Sequence, residues 1–152
     1  MSIDCFDIDP SNPSSIPKFI DELPIPEVAV PLPSKNDVCI KDKNKYKITM
    51  RENCHRFHMF FNETKILGYN GSYPGPTIEA FKDVKTTVEW ENDLPSKHFL
   101  PFDTSLHGTM DEPEVKTVVH LHGAMVKDDS DGYPEAWYTK GYKITGSHFT
   151  RK

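Results

Sequence analysis

The sequence has no uncharged apolar run that approaches the roughly 20 residues needed for a transmembrane helix. Its first residues, MSIDCFDIDP, are acidic, whereas a signal peptide begins with basic residues followed by an apolar stretch. These two absences predict a soluble protein without a recognisable secretory signal.

Cysteine is also scarce. The 152 residues include 3 cysteines, Cys5, Cys39 and Cys54. An odd number without CxxC spacing predicts neither a disulfide framework nor a zinc ribbon.

Acidic residues outnumber basic ones. Eighteen Lys and Arg stand against 23 Asp and Glu, a formal net charge of −5. A nucleic-acid-binding surface needs clustered Lys and Arg, so this class of function is not expected.

Proline is abundant, with 13 residues, and it is concentrated near the N-terminus. We expect residues 1–44 to form an extended, proline-rich arm with one short helix. Ser15 would cap this helix, Pro17 would lie in its first turn and Pro24 would end it. Phe19, Ile20 and Leu23 would share one side of it. The following segment, PIPEVAVPLP, should be extended, because proline disfavours helix at the residue before it.

From Lys45 onward the apolar residues recur with a period of two, which predicts β-strands. The alternating sets are Tyr46, Ile48 and Met50; His55, Phe57, Met59 and Phe61; and Val84, Thr86, Val88 and Trp90. The turn-forming stretches YNGSYPGPT and NDLPS separate these runs, and no helical stretch of useful length is expected after residue 24. The pattern predicts an antiparallel β-sandwich or barrel. Its inner face should include Val84, Val88, Trp90, Val119 and Leu121.

The segment TVVHLHG carries a candidate metal site. On a strand, His120 and His122 project to the same face, with their Cα atoms roughly 6.5–7 Å apart. Two such imidazoles can chelate one metal ion or serve two neighbouring ions, and neutral imidazole suits Cu, Zn, Fe and Ni. With 7 histidines in the chain, an H-x-H arises by chance about one time in three. Alternatively, both rings hydrogen-bond to backbone carbonyls at the end of a strand.

An acidic loop follows the two histidines. The stretch KDDSDG contains Asp128, Asp129 and Asp131. A carboxylate in this loop can orient an imidazole or move protons. For any single aspartate, the alternative is a solvated turn before Gly132.

Residues 18–152 resemble the multicopper oxidase family, in particular the bacterial spore-coat laccase and bilirubin-oxidase type. The resemblance is carried by HLHG with the residues that follow it, by PGPTIE, NDLPSKHFLPFD and KFIDELPIP, and by their order. It implies an all-β, cupredoxin-like Greek-key β-sandwich. Family members have three such domains, and a blue copper takes single electrons from phenolic or bilirubin-like donors. A trinuclear copper cluster then reduces dioxygen to water.

The same resemblance assigns roles to three residues. His120 matches a ligand of the type 2 copper, His122 a ligand of one type 3 copper, and Asp131 an acid that assists proton delivery. The sequence contains neither the other three H-x-H motifs nor a cysteine with the flanking histidines of the blue copper site. We therefore expect residues 45–152 to be the first plastocyanin-like domain, incomplete at its C-terminal end. The missing domains would belong to the same protein or to a separate chain, and the 152 residues alone should be inactive.

Two alternatives remain. A cupin-like, non-catalytic metal-binding β-sandwich would need a Glu shortly after H-x-H and a third histidine one strand later. Val126 stands four residues after His122, and His148 is the only later histidine. The chain could also be a non-catalytic remnant that folds only with a partner chain. By resemblance, the expected location is the cytoplasm or the spore coat.

Overall fold

Three strands form one mixed sheet in the computed structural model, which describes residues 9–33, 45–109 and 115–150. The strands are β1 (Lys45–His55), β2 (Thr64–Tyr69) and β3 (Thr87–Asn92), in the order β2-β1-β3. β1 pairs with β2 in antiparallel and with β3 in parallel. The all-β prediction is confirmed, whereas the antiparallel prediction is wrong for the β1–β3 pair.

Helical structure in the described ranges is limited to four 3₁₀ turns of three residues each: Pro13–Ser15, Asp128–Ser130, Pro134–Ala136 and Lys140–Tyr142. The turns after residue 24 have three residues each, so the expectation of no useful helical stretch there is confirmed for the described ranges. Within these same ranges, no helix has the length and apolar character to cross a membrane.

The first half of β1 follows the predicted alternation. Tyr46, Ile48 and Met50 are buried. Lys47, on the other face, forms a 3.0 Å ion pair with Glu91, the residue that follows Trp90 in β3. Burial on one face and charge pairing on the other give the register between β1 and β3, with Ile48 opposite Trp90.

The second alternating set does not form a strand. β1 ends at His55, and residues 56–63 turn the chain back so that Thr64 pairs with His55. Within the turn, the Phe61 N–H donates to the His58 carbonyl at 3.0 Å. Phe57 and Met59 are exposed, because a chain reversal does not keep alternate residues on one face.

The N-terminal helix is also not where the sequence predicted it. A single 3₁₀ turn spans Pro13–Ser15, and the Asn12 side chain caps it by accepting from the Ser14 N–H at 3.1 Å. Phe19 has a positive φ of 60° and is fully exposed. The helix predicted between Ser15 and Pro24 would be short, and such a helix is stable only when its apolar side packs against the rest of the protein. Phe19 and Leu23 are both exposed, so the described residues do not provide this packing.

The segment PIPEVAVPLP, which the prolines predicted to be extended, packs beside the sheet. Val28 forms a parallel bridge with Thr77. The Ala29 N–H donates to the Thr77 carbonyl and the Thr77 N–H donates to the Glu27 carbonyl, both at 2.8 Å. Residues 1–8 and 34–44 of the expected arm, with Cys5 and Cys39, lie outside the described residues, while Cys54 is an exposed free thiol.

Two small apolar clusters make up the core. Ala29, Tyr46 and Ile48 form one, and Met50, Leu94, Val115 and Tyr138 form the other. Trp90 packs against both, Val88 against the first and Val119 against the second, so these three inner-face predictions are confirmed. Val84 is half-buried but joins neither cluster. Leu121 is 67% exposed, and its predicted burial is wrong.

Asn92 ties the end of β3 to the segment that precedes the histidine pair. Its side chain is almost completely buried. The amide nitrogen donates to the Tyr138 carbonyl at 3.2 Å and to the Thr117 hydroxyl at 3.3 Å. The amide oxygen accepts from the Leu94 N–H at 3.0 Å. A buried polar side chain with all these partners fixes Thr117 relative to the sheet.

Candidate metal centre

Thr117 and Tyr138 anchor the segment that carries the two histidines. They form an antiparallel bridge, with backbone hydrogen bonds of 3.0 and 2.9 Å. Beyond Thr117 the segment pairs with no strand of the described residues, so His120 and His122 follow an isolated bridge and the predicted strand through them is wrong. Val119 still packs against the core, whereas Leu121 is exposed and is not covered by any of the described residues to a degree that buries it.

Two oxygen atoms of Asp131 contact the same nitrogen of His120. The Nδ1 atom lies 2.9 Å from the Asp131 carbonyl oxygen and 3.0 Å from its carboxylate Oδ1. A carbonyl oxygen only accepts hydrogen bonds, so Nδ1 is the donor here, and in the neutral form of the imidazole Nδ1 is the nitrogen that carries the proton. The Nε2 lone pair of His120 is then available to a metal ion. The half-exposed side chain allows access to it.

The His122 ring lies next to that of His120. The ring centroids are 5.9 Å apart and the planes meet at 75°. His122 is exposed, and it makes no hydrogen bond with any residue of the described ranges. The structure thus brings the two predicted ligands together at one solvent-facing surface. Their separation is compatible with one shared ion or with two neighbouring ions.

Only one of the three loop aspartates contacts a histidine. Asp128 and Asp129 belong to the 3₁₀ turn Asp128–Ser130, in which the Ser130 hydroxyl donates to Asp129 at 2.7 Å. The Asp131 N–H donates to the Asp128 carbonyl at 3.3 Å. Asp128 and Asp129 therefore form the solvated turn that was the alternative, and this turn presents Asp131 to His120.

Gly132 is a residue of the site that the sequence analysis did not single out. It has a φ of +83°, and a Cβ built on it would lie 2.9 Å from the Cβ of His120. Glycine alone tolerates this approach. The Asp-Gly pair closing the acidic loop is the sequence signal that indicates a left-handed residue here.

The remaining described histidines are engaged elsewhere: His55, His58, His98, His107 and His148. For example, His58 Nε2 lies 3.0 Å from the Pro17 carbonyl, and His107 Nε2 lies 3.0 Å from Glu135 Oε1. Across the described ranges, no group of three or more His, Cys, Asp or Glu side chains could hold a metal ion. His148 does not complete a cupin-like triad with the histidine pair.

Tyr138 supports the site from the core. Burial raises the pKa of Tyr138 to about 12, so its hydroxyl stays protonated at neutral pH. This hydroxyl donates to the Trp90 carbonyl at 3.0 Å. Tyr138 thereby links β3 to Thr117 and to the loop after the histidines.

Comparison with known proteins defines the class. The sequence model of the multicopper oxidase family matches residues 55–140, which include both histidines, Asp131 and Gly132. The chain belongs to the multicopper oxidase family, and the all-β, cupredoxin-like fold expected from the resemblance agrees with the structure.

Three of the similar proteins are named laccases. One from Bacillus subtilis (strain 168) is 47% identical over 141 residues, covering 91% of this chain and 26% of the relative. One from Bacillus stratosphericus is 50% identical over 139 residues, with coverages of 91% and 26%. One from Haloferax volcanii is 36% identical over 137 residues, with coverages of 84% and 23%. The chain spans about a quarter of the length of these relatives.

Proposed function

We propose that this chain supplies His120 and His122 as copper ligands of a laccase-like multicopper oxidase. Such an enzyme removes single electrons from phenolic or bilirubin-like donors and reduces dioxygen to water. The observation that carries the proposal is the hydrogen bonding of the two imidazole rings. Asp131 holds Nδ1 of His120 and leaves Nε2 available, beside a His122 ring without a hydrogen-bond partner among the described residues.

The donor set fits copper. Two neutral imidazoles are suitable ligands for this metal, and copper, when bound, supplies one-electron redox chemistry. A metal-ligating histidine usually donates its other ring N–H to a carbonyl or carboxylate, which orients the ring. His120 has both kinds of acceptor within 3.0 Å. The solvent-facing surface leaves room for an ion to approach.

The roles within the pair follow from the family resemblance. His120 is proposed as a ligand of the type 2 copper and His122 as a ligand of a type 3 copper. Asp131 orients the His120 imidazole, and its half-exposed carboxylate can exchange protons with solvent. It is thus suited to deliver protons during dioxygen reduction.

Two histidines cannot complete such a cluster. Since the laccase relatives are about four times as long, we infer that further cupredoxin domains supply the remaining ligands, in the same protein or as a separate chain. From the same resemblance we propose the cytoplasm or the spore coat as its location, which fractionation of sporulating cells would test.

Copper titration tests the ligand assignment directly. Cu(II) is added to the parent chain and to His120→Ala/His122→Ala, and the histidine ring signals are followed by NMR. Paramagnetic broadening should affect His120 and His122 first, and the double variant should lose this binding. The matched control is His107→Ala/His148→Ala, which removes two other exposed histidines and should bind like the parent. Equal affinity of the parent and the His120/His122 variant would refute the assignment.

A further inference from the structure

We propose that Gly132 is a positioning residue for His120: its missing side chain lets the loop lie against His120, so that the Asp131 carbonyl fixes the ring tautomer. This inference deepens the proposed function and rests on His120 being a copper ligand. It concerns a residue that touches neither metal nor substrate and acts only through the backbone next to the ligand.

The approach of the loop to His120 is too close for any side chain. A Cβ on Gly132 would lie 2.9 Å from His120 Cβ, 3.4 Å from His120 Cα and 3.5 Å from the Val119 carbonyl oxygen. These atoms belong to the backbone or to the base of a side chain, so none of them can rotate away. An added methyl group must therefore displace the loop itself.

The displaced part of the loop includes the acceptor. The Asp131 carbonyl belongs to the peptide that joins Asp131 to Gly132, and its oxygen lies 2.9 Å from His120 Nδ1. Hydrogen bonds weaken steeply with distance and misalignment, so a shift of this peptide loosens the contact. The carboxylate Oδ1, at 3.0 Å, belongs to a rotatable side chain that can follow the ring or leave it for water.

The tautomer connects this contact to metal binding. While the carbonyl accepts from Nδ1–H, Nε2 carries the lone pair and is ready to bind copper. Once the carbonyl is lost, the proton can move to Nε2, and the ring must then change tautomer before it binds the ion in this orientation. Gly132 therefore keeps His120, before copper is bound, in the tautomer that can bind the ion.

Another glycine of the chain separates this effect from backbone strain. Gly141 also has a left-handed φ, of +65°, but apart from its chain neighbours and its own helical turn no described residue has an atom within 4 Å of a Cβ built on it. Alanine at either position has to adopt a conformation that is unfavourable for residues with a side chain. Only alanine at position 132 meets His120.

The test is ¹⁵N NMR of the histidine rings in the metal-free chain, in mildly alkaline buffer. The parent and Gly141→Ala should show His120 with the proton on Nδ1. Gly132→Ala should show a clear shift towards the Nε2–H form. Asp131→Ala keeps the backbone carbonyl and should stay closer to the parent than Gly132→Ala does. The ring spectrum reports on the tautomer, which a general loss of stability in a folded variant does not change.

Copper affinity supplies the second readout. Gly132→Ala should bind Cu(II) about 10–100-fold more weakly than Gly141→Ala, the usual consequence of losing a partner of a metal ligand. A parent His120 with its proton on Nε2 would overturn the proposal, whether or not any variant folds. So would a folded Gly132→Ala with the parent's tautomer. If the tautomer responds while His120→Ala/His122→Ala still binds copper like the parent, the ligand assignment fails, and with it the copper role of Gly132, while the effect of Gly132 on the His120 tautomer is confirmed.

Discussion

The Tyr138 hydroxyl donates to the Trp90 carbonyl at 3.0 Å, while the Tyr138 backbone pairs with Thr117, three residues before His120. One residue thus joins the edge strand β3 to the segment that carries the histidine pair. The arrangement of the candidate metal centre therefore depends on the packing around Trp90 and Tyr138, and both residues can be tested.

Trp90→Ala should destabilise the chain by about 3 kcal/mol, the lower end of the range for large aromatic residues, because Trp90 is half-buried but contacts both apolar clusters. Urea unfolding measures this change. Leu121→Ala, at an exposed position, is the control and should stay within about 0.5 kcal/mol of the parent. A similarly small effect for Trp90→Ala would place its ring outside the core.

Stability should fall at alkaline pH because of Tyr138. Burial raises the pKa of Tyr138 to about 12 in the folded chain, above the value of about 10 for an unfolded tyrosine. The folded state therefore holds this proton more tightly. The contribution of this proton to the free energy of unfolding is complete below about pH 10. It is lost as the pH rises through about 12, a change on the order of 2 kcal/mol.

Unfolding free energies of the parent and of Tyr138→Phe, measured across this alkaline range, check the assignment. Tyr138→Phe cannot ionise at this position and should show a smaller alkaline loss. Tyr73→Phe, which removes an exposed hydroxyl, should behave like the parent. Identical pH profiles for all three proteins would rule out Tyr138 as the source.

Replacing the buried Asn92 should also be costly. Asn92→Ala removes the amide that bonds to the Tyr138 carbonyl and the Thr117 hydroxyl and leaves the buried Leu94 N–H unpaired. We expect a loss of about 1–3 kcal/mol in the free energy of unfolding. Asn62→Ala, in the exposed turn between β1 and β2, should be nearly neutral. Equal stabilities of the two variants would contradict the anchoring role of Asn92.

The sequence predicted those features that a local pattern determines. The alternation of Tyr46, Ile48 and Met50 reflects burial of one strand face, and it correctly placed β1 and its contribution to the core. The same period-two pattern occurs in parallel and antiparallel strands, so the parallel pairing of β1 with β3 could not be deduced. The aromatic alternation after His55 wrongly predicted a strand. The chain reverses at this point because β1 pairs with β2, and this pairing is a tertiary contact that a local pattern does not show.

At the candidate site, the H-x-H motif identified both histidines, and the acidic loop identified Asp131 as a possible partner of a ring. The family resemblance singled out Asp131, whereas the loop composition alone did not separate it from Asp128 and Asp129, because that choice depends on how the turn presents each carboxylate. The importance of Gly132 arises from an approach between residues 12 positions apart in the chain. No pattern within the loop encodes that distance.

The 152-residue chain alone should not be an oxidase. Reduction of dioxygen to water takes four electrons, whereas the described residues hold the two histidines in no group of three ligands. Copper-loaded chain with a phenolic donor should show no oxygen uptake and no intense blue absorption band. An intense blue band, or turnover that His122→Ala abolishes, would mean that the chain assembles a more complete copper site than the structure indicates.

The most direct test of the central claim is a chimera. The part of the Bacillus subtilis laccase that aligns with this chain over 141 residues is replaced by the matching residues of this chain, and oxygen uptake is measured with a phenolic donor. If His120 and His122 are copper ligands, the chimera consumes oxygen, and His120→Ala or His122→Ala abolishes the consumption while His107→Ala preserves it. A folded chimera without oxygen uptake, or one whose His122→Ala variant consumes oxygen as fast as its parent, would contradict the account.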